Sequence, residues 1–255
     1  MVRSATVLLS ISLLAAPVQA QPVCVTFPWS AAEADAAIAA LVRWVAPTLA
    51  DAPGMAASLA QVAPDLCLSP QVDGAQGYLD PLRRQIVLDA RAAPDLQRGI
   101  LLHELRHLEQ FARGYCPAND LALQDNARAT FAVEADASAV SLLLAWQRRG
   151  GGDASAWNAL AAWPQQADIA ARFAAEVGSG AELPAAAAAA FAQWYALPER
   201  RDAYYQASCS DYFDREDQGN LLRGSARLPA DFLTVLCILP DGRPYPCVEP
   251  GSGAP

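Results

Sequence analysis

Ile100-Leu101-Leu102-His103-Glu104-Leu105-Arg106-His107-Leu108-Glu109-Gln110 decides how the rest of this 255-residue chain is read. The stretch holds both histidines of the sequence, four positions apart, with a glutamate directly after the first. On a helix, residues i and i+4 lie on one face a turn apart, so imidazoles at 103 and 107 can bind one metal ion from the same side. Glu104 is one residue round from His103. Its carboxylate can sit beside the ion without ligating it, where a general base belongs. Ile100, Leu101, Leu105, Leu108 and Phe111 supply the apolar side of the helix. Pro94 and Asp95 suit its first turn, and Gly114 is a natural C-terminal stop. The reading without a metal is an amphipathic core helix whose histidines are satisfied by hydrogen bonds.

This His-Glu-x-x-His stretch resembles the active-site helix of the gluzincin zinc metallopeptidases. Its wider setting, over roughly residues 78–140, resembles an uncharacterised family of exported bacterial metallopeptidases. The resemblance implies a zincin-like α+β fold, predominantly α-helical, with a small β-sheet before the motif helix. It implies zinc, Zn(2+), as cofactor, His103 and His107 as two of its ligands, Glu104 as the catalytic base, and a glutamate on a later helix as the third ligand. It also places the strand at 84–89 on the sheet edge, where an extended substrate can add as a further strand. An ordinary internal strand is the alternative. Two residues depart from the family pattern: Arg106 stands where an uncharged residue is usual, and Glu109 where an apolar or small one is. Both are accommodated if they point to solvent.

Phe131-Ala132-Val133-Glu134-Ala135-Asp136-Ala137-Ser138 carries the candidate third ligand. It lies in an expected helix from about Asn119 to Arg149, far enough past His107 for a turn and a return. Small residues around Glu134 allow this helix to approach the motif helix closely, and a carboxylate buried there is costly unless paired or metal-bound. Glu134 is therefore the expected ligand. Asp136 is the rival. Two positions apart on a helix means nearly opposite faces, so the two do not share one role, and Asp136 is a candidate for a group behind the ligands. Gln110, three after His107, and Arg128, six before Glu134, are the other candidates for that supporting role. A hydrolytic site also needs a donor for a developing oxyanion. Tyr115, Tyr195, Tyr204 and Tyr205 are candidates, and the sequence does not choose among them.

Residues 1–20 read as a secretory signal peptide, with Arg3, then apolar Val7 to Ala16, then Val18-Gln19-Ala20 as a small-residue cleavage site. Residues 21–255 read as a single zincin-like metallopeptidase domain with a Pro/Gly-rich tail from about 240. No later stretch is apolar for ~18 uninterrupted residues, so no membrane span is expected after signal cleavage. Six cysteines, at 24, 67, 116, 209, 237 and 247, suggest disulfides in an exported protein, periplasmic or secreted. Cys237 with Cys247, across Pro240-Asp241-Gly242, is the best single pairing. A formal net charge of −9 argues against nucleic acid or anionic membrane as partners. The expected partner is a peptide or protein substrate.

Further helices are expected from Ser30 to Val45, with Ser30 and Glu33 as a capping box and Pro47 as the stop, and from Pro53 to Val62. Others are expected over Ala156 to Trp163, Gln165 to Val177 and Leu183 to Ala196. Tyr78 to Asp80 and 84–89 are the expected strands. The whole reads as an exported peptidase that uses a zinc-activated water. Two other classes stay open: a metal-binding pseudopeptidase of the envelope, and a metal-free helical interaction module.

Overall fold

A small sheet comes first and sets where the motif helix lies. In the computed structural model, which describes residues 21–250 apart from 73, 116–119, 220–221 and 223, the chain begins with β1, Val23–Val25. Helices α1 (Ala36–Asp51) and α2 (Pro53–Val62) follow, then strands β2 (Asp65–Ser69), β3 (Gly77–Asp80) and β4 (Gln85–Asp89). The sheet order is β1-β2-β4-β3, with β2 and β4 parallel and the outer pairs antiparallel. The expected signal peptide at 1–20 lies outside the described residues.

The placing of 84–89 at a sheet edge is corrected: β4 is internal, hydrogen-bonded to β2 on one side and β3 on the other. The physical reason is in its centre. Ile86, Val87 and Leu88 are all buried, so both faces of the strand are covered, as central parallel strands require. The edge strands are β1 and β3, and it is β3, which exposes Tyr78, that borders β4. β3 also lies close to the next helix, because a Cβ on Gly77 would stand 2.7 Å from Ile100 Cγ2. Strands β1 and β2 have no strong local period. Their pairing is long-range, with Cys24 opposite Cys67 and the two joined by a disulfide.

The remainder is helical: α3 (Pro94–Ala112), α4 (Leu123–Gly150), α5 (Ser155–Ala162), α6 (Ala167–Gly178), α7 (Leu183–Trp194), α8 (Pro198–Gly219) and the short α9 (Phe232–Leu236). The fold is thus α+β, mainly α, with the small sheet ahead of the motif helix. α4 is the central element. By length and composition it could cross a membrane, but 78% of its most apolar window is buried inside the fold. A helix apolar on all sides belongs in a core. Ala129, Ala132, Ala135, Ala137 and Ala139 along it are buried and let α3, α5 and α7 come close.

Two local expectations shift. α1 is capped by Asp35, whose carboxylate accepts from the Ala37 N–H, while Ser30 and Glu33 form only a turn. Asp35 stands immediately before the buried series Ile38, Leu41, Trp44 and Val45, so the cap nearest the packing face is used. Pro47 lies inside α1, which runs on to Asp51. Cys237 and Cys247 form the expected disulfide and close the tail into a loop. Cys209 is a free thiol, and Cys116 lies outside the described residues.

α3 is pinned against α5 at Gly99, where a Cβ would stand 2.6 Å from Cγ of the buried Leu160. Alanine would gain about 1 kcal/mol of helix propensity, but overpacking a core costs about 1–3 kcal/mol. Gly99→Ala is therefore expected to lower Tm, by about 2–4 °C per kcal/mol lost. A melting curve shifted upward would show that the two helices can move apart freely.

Candidate metal centre

α3 presents His103 and His107 from one face, and α4 brings Glu134 to meet them. The His107 and His103 Nε2 atoms are 2.9 Å apart. Glu134 Oε2 is 3.6 Å from His103 Nε2, and Oε1 is 3.5 Å from His107 Nε2. The two rings stand edge to face at 83°. Ligands at zinc bonding distance in a tetrahedron lie about 3.3 Å from one another. The three donors therefore converge at spacings that one such ion fits, with two nitrogens and one oxygen.

Glu104 lies beside this group and is only 4% exposed. Burial pushes its carboxyl above the ordinary range, against the pull of the two histidines. The backbone of Leu79, on the edge strand β3, lies beside it and weakly favours its charged form. Burial also opposes charge on Glu134, but His107 and His103 prevail and hold its carboxyl far below the usual range. His107 is the counterpart: burial lowers it, and Glu134 more than compensates, holding it up at about 9. The donors sit at the floor of a cleft of about 390 Å³. Leu79 of β3 and Pro81 in the turn after it line one part of it, and Tyr204, Ser208, Asp211 and Arg215 of α8 another.

Behind His107 lies a buried polar network. His107 Nδ1 is 2.8 Å from Gln110 Oε1. The Gln110 amide nitrogen donates to Val133 O at 2.9 Å and to Asp136 Oδ2 at 2.6 Å. Asp136 is fully buried and accepts from Arg106 Nε at 2.7 Å and from an Arg106 terminal nitrogen at 3.0 Å. Arg106, itself fully buried, also donates to Glu109 and to the Leu236 and Ile238 carbonyls.

Arg106 and Glu109 therefore do not point to solvent: they are 0% and 3% exposed, and the charge that makes them unusual in the motif is neutralised inside the protein. Asp136 is not a rival ligand, because both its oxygens already accept from Arg106 and from further donors. It reaches the metal group only through Gln110. Arg128 is away from the site, paired with Asp125 and Glu249 on the other side of α4 from the donors' cleft lining. Of the four tyrosines, Tyr204 lines the cleft, with its hydroxyl close enough to Glu134 to feel its charge. Tyr115 meets Phe232 edge to face, Tyr195 packs among Phe131, Phe191 and Trp194, and Tyr205 lies beside Cys209. Leu79 and Tyr245 were not candidates in the sequence. Neither carries a local signal, since each reaches the site through a long-range approach.

The network yields a contrast in stability. Removing one partner of a buried ion pair strands the other charge, at about 3–5 kcal/mol, whereas exposed pairs are worth about 0–1 kcal/mol. Asp136→Ala should lose about 3–5 kcal/mol in urea unfolding, and Arg128→Ala about 1 kcal/mol or less. Equal losses would mean that Arg106 finds water when its partner is removed.

No curated protein and no solved structure gives a significant match to the chain. One family model does match, across residues 17–247, and its description is "Putative metallopeptidase family (DUF6782)". With two histidines and a glutamate converging beside a buried second glutamate, and nearly all of the sequence covered by that model, the chain belongs to this metallopeptidase family.

Proposed function

We propose that this chain is an exported zinc metallopeptidase of the gluzincin type that hydrolyses peptide bonds. The observation that carries the reading is the convergence of His103, His107 and Glu134 beside the buried Glu104 at the floor of a cleft. A motif glutamate held next to two histidines, with the third donor a glutamate on a later helix, is the gluzincin arrangement. Export is supported by two disulfides, Cys24–Cys67 and Cys237–Cys247, which persist in oxidising compartments. In this reading residues 1–20 are the signal peptide and the remainder is one domain.

His103, His107 and Glu134 would hold the ion, leaving its cleft side open. Zinc, when bound, polarises the scissile carbonyl and makes water acidic enough to lose a proton near neutral pH. Glu104 moves that proton. Its burial raises the carboxyl, so it can accept from the attacking water and then give the proton to the leaving amine. The Leu79 backbone beside it favours the charged form that accepts the proton. Tyr204, whose hydroxyl stands at Glu134, is assigned as the donor to the developing oxyanion. An extended peptide can lie along the free edge of β3, whose other edge is occupied by β4.

Glu104→Gln should retain zinc yet lose about 10²–10⁴-fold in turnover of a peptide library; undiminished turnover would remove Glu104 from the chemistry. Purified wild-type protein should carry about one zinc per chain, and His107→Ala or Glu134→Ala should lose it. Zinc absent from the wild type after it is supplied would sink the peptidase reading. Affinity should also depend on pH. Metal-free His107 titrates at about 9, and a ligand nitrogen must be deprotonated. Below that pH, zinc has to displace a proton, so affinity should rise as pH rises toward 9 and level off above it. Calorimetry in buffers of different ionisation enthalpy checks this, and no proton release at pH 7 would contradict it.

A further inference from the structure

Tyr245 takes no part in the hydrolysis described above, yet it is 4% exposed and its hydroxyl donates to Asp136 Oδ1 at 2.6 Å. It lies within the loop closed by Cys237–Cys247, and its backbone N–H donates to the Cys237 carbonyl at 3.0 Å. The same segment supplies the Leu236 and Ile238 carbonyls that accept from Arg106. The C-terminal loop thus contacts both members of the Arg106–Asp136 pair.

The chemistry of that contact propagates in one direction. Asp136 Oδ1 takes the tyrosine and an Arg106 nitrogen, and Oδ2 takes Arg106 Nε and the Gln110 amide. The amide nitrogen of Gln110 faces two acceptors, Asp136 and the Val133 carbonyl, so its oxygen must be the atom turned to His107. A carbonyl oxygen there accepts only from a protonated Nδ1. The neutral ring then keeps its lone pair on Nε2, the nitrogen that faces Glu134 and His103.

We infer that the disulfide-closed C-terminal segment is a positioning element of the metal centre, with Tyr245 acting through Asp136 and Gln110 to hold His107 in the tautomer that can ligate. Tyr245 and Gln110 are positioning residues, each acting through the next group in the chain. The inference rests on the metal-site reading proposed above.

Zinc affinity of the oxidised full chain, measured by chelator competition, tests it in four forms: wild type, Tyr245→Phe, Gln110→Met and the double variant. Tyr245→Phe keeps the ring that packs on Phe191 and removes only the donor. It should weaken zinc binding about 3–10-fold, below or at the low end of the ~10–100-fold typical of groups that touch a ligand, which is the range expected for Gln110→Met. The decisive result is the double variant. If Tyr245 acts through Gln110, the double variant binds zinc no more weakly than Gln110→Met alone. An equal loss in both backgrounds, or no loss in either, overturns the inference, since a merely structural tyrosine would not distinguish them. Nitrogen NMR of the metal-free protein above pH 9 gives a second reading. The neutral His107 ring should carry its proton on Nδ1 in the wild type, with the Nε2-protonated form appearing in Gln110→Met. A wild-type ring protonated on Nε2 overturns the inference. A wild type that binds no zinc sinks the peptidase reading instead, and the tautomer measurement still decides the positioning chain.

Discussion

The buried guanidinium of Arg106 is the constraint on which the arrangement of this protein depends. A cation withdrawn from water costs several kcal/mol unless every side of it is matched. Here Asp136 meets it with both oxygens from α4, Glu109 from its own helix, and two carbonyls from the end of α9 and just beyond it, Leu236 and Ile238. Those partners come from three separate segments. One setting of α4 against α3 satisfies Arg106, and the same setting brings Glu134, two residues before Asp136, to the histidines. The structural ion pair and the metal donors are two consequences of a single helix register.

The site divides its charges by depth. Toward the cleft stand groups whose charge is shifted by their surroundings: His107, held up by Glu134 against burial, and Glu104, pushed up by burial. Behind them, buried in the core, stands the ion-paired guanidinium of Arg106 with Asp136 and Glu109. Gln110 joins the two layers as a neutral amide, bonded to His107 on one side and Asp136 on the other. The sheet contributes its edge. Gly77 lets β3 settle on Ile100 of α3, and this closeness is what carries the Leu79 backbone to Glu104.

Much of the candidate site was legible before any coordinates because its parts lie within one helix turn or on one periodic element. His103, Glu104 and His107 are a local spacing, and a helix is the only regular element that puts 103 and 107 on one side. Glu134 followed from its small neighbours and its place on a return helix. Arg106 and Glu109 were misread for a corresponding reason. A charged residue in isolation belongs in water, and nothing near them in the chain announces that Asp136 and the carbonyl groups around residue 237 will surround them. The strand at 84–89 was misplaced because an apolar run specifies burial but not which neighbours flank it, and β2, its parallel partner, is separated from it by a whole strand in the chain.

The sequence by itself determined the elements and the side chains they offer: a helix bearing two imidazoles and a glutamate between them, a later helix with a carboxylate among small residues, an α+β composition, and a tail closed by Cys237 and Cys247. Local periodicity and residue chemistry are enough for that, since both act over a few residues. Only the tertiary structure decided that Glu134 meets the histidines while Asp136 serves Arg106, that Arg128 is elsewhere, that Tyr204 rather than three other tyrosines lines the cleft, and that β3 rather than β4 is an edge strand. Each of those outcomes turns on a partner brought from a distant part of the chain, chosen because a buried charge or backbone group must be matched wherever the packing leaves it.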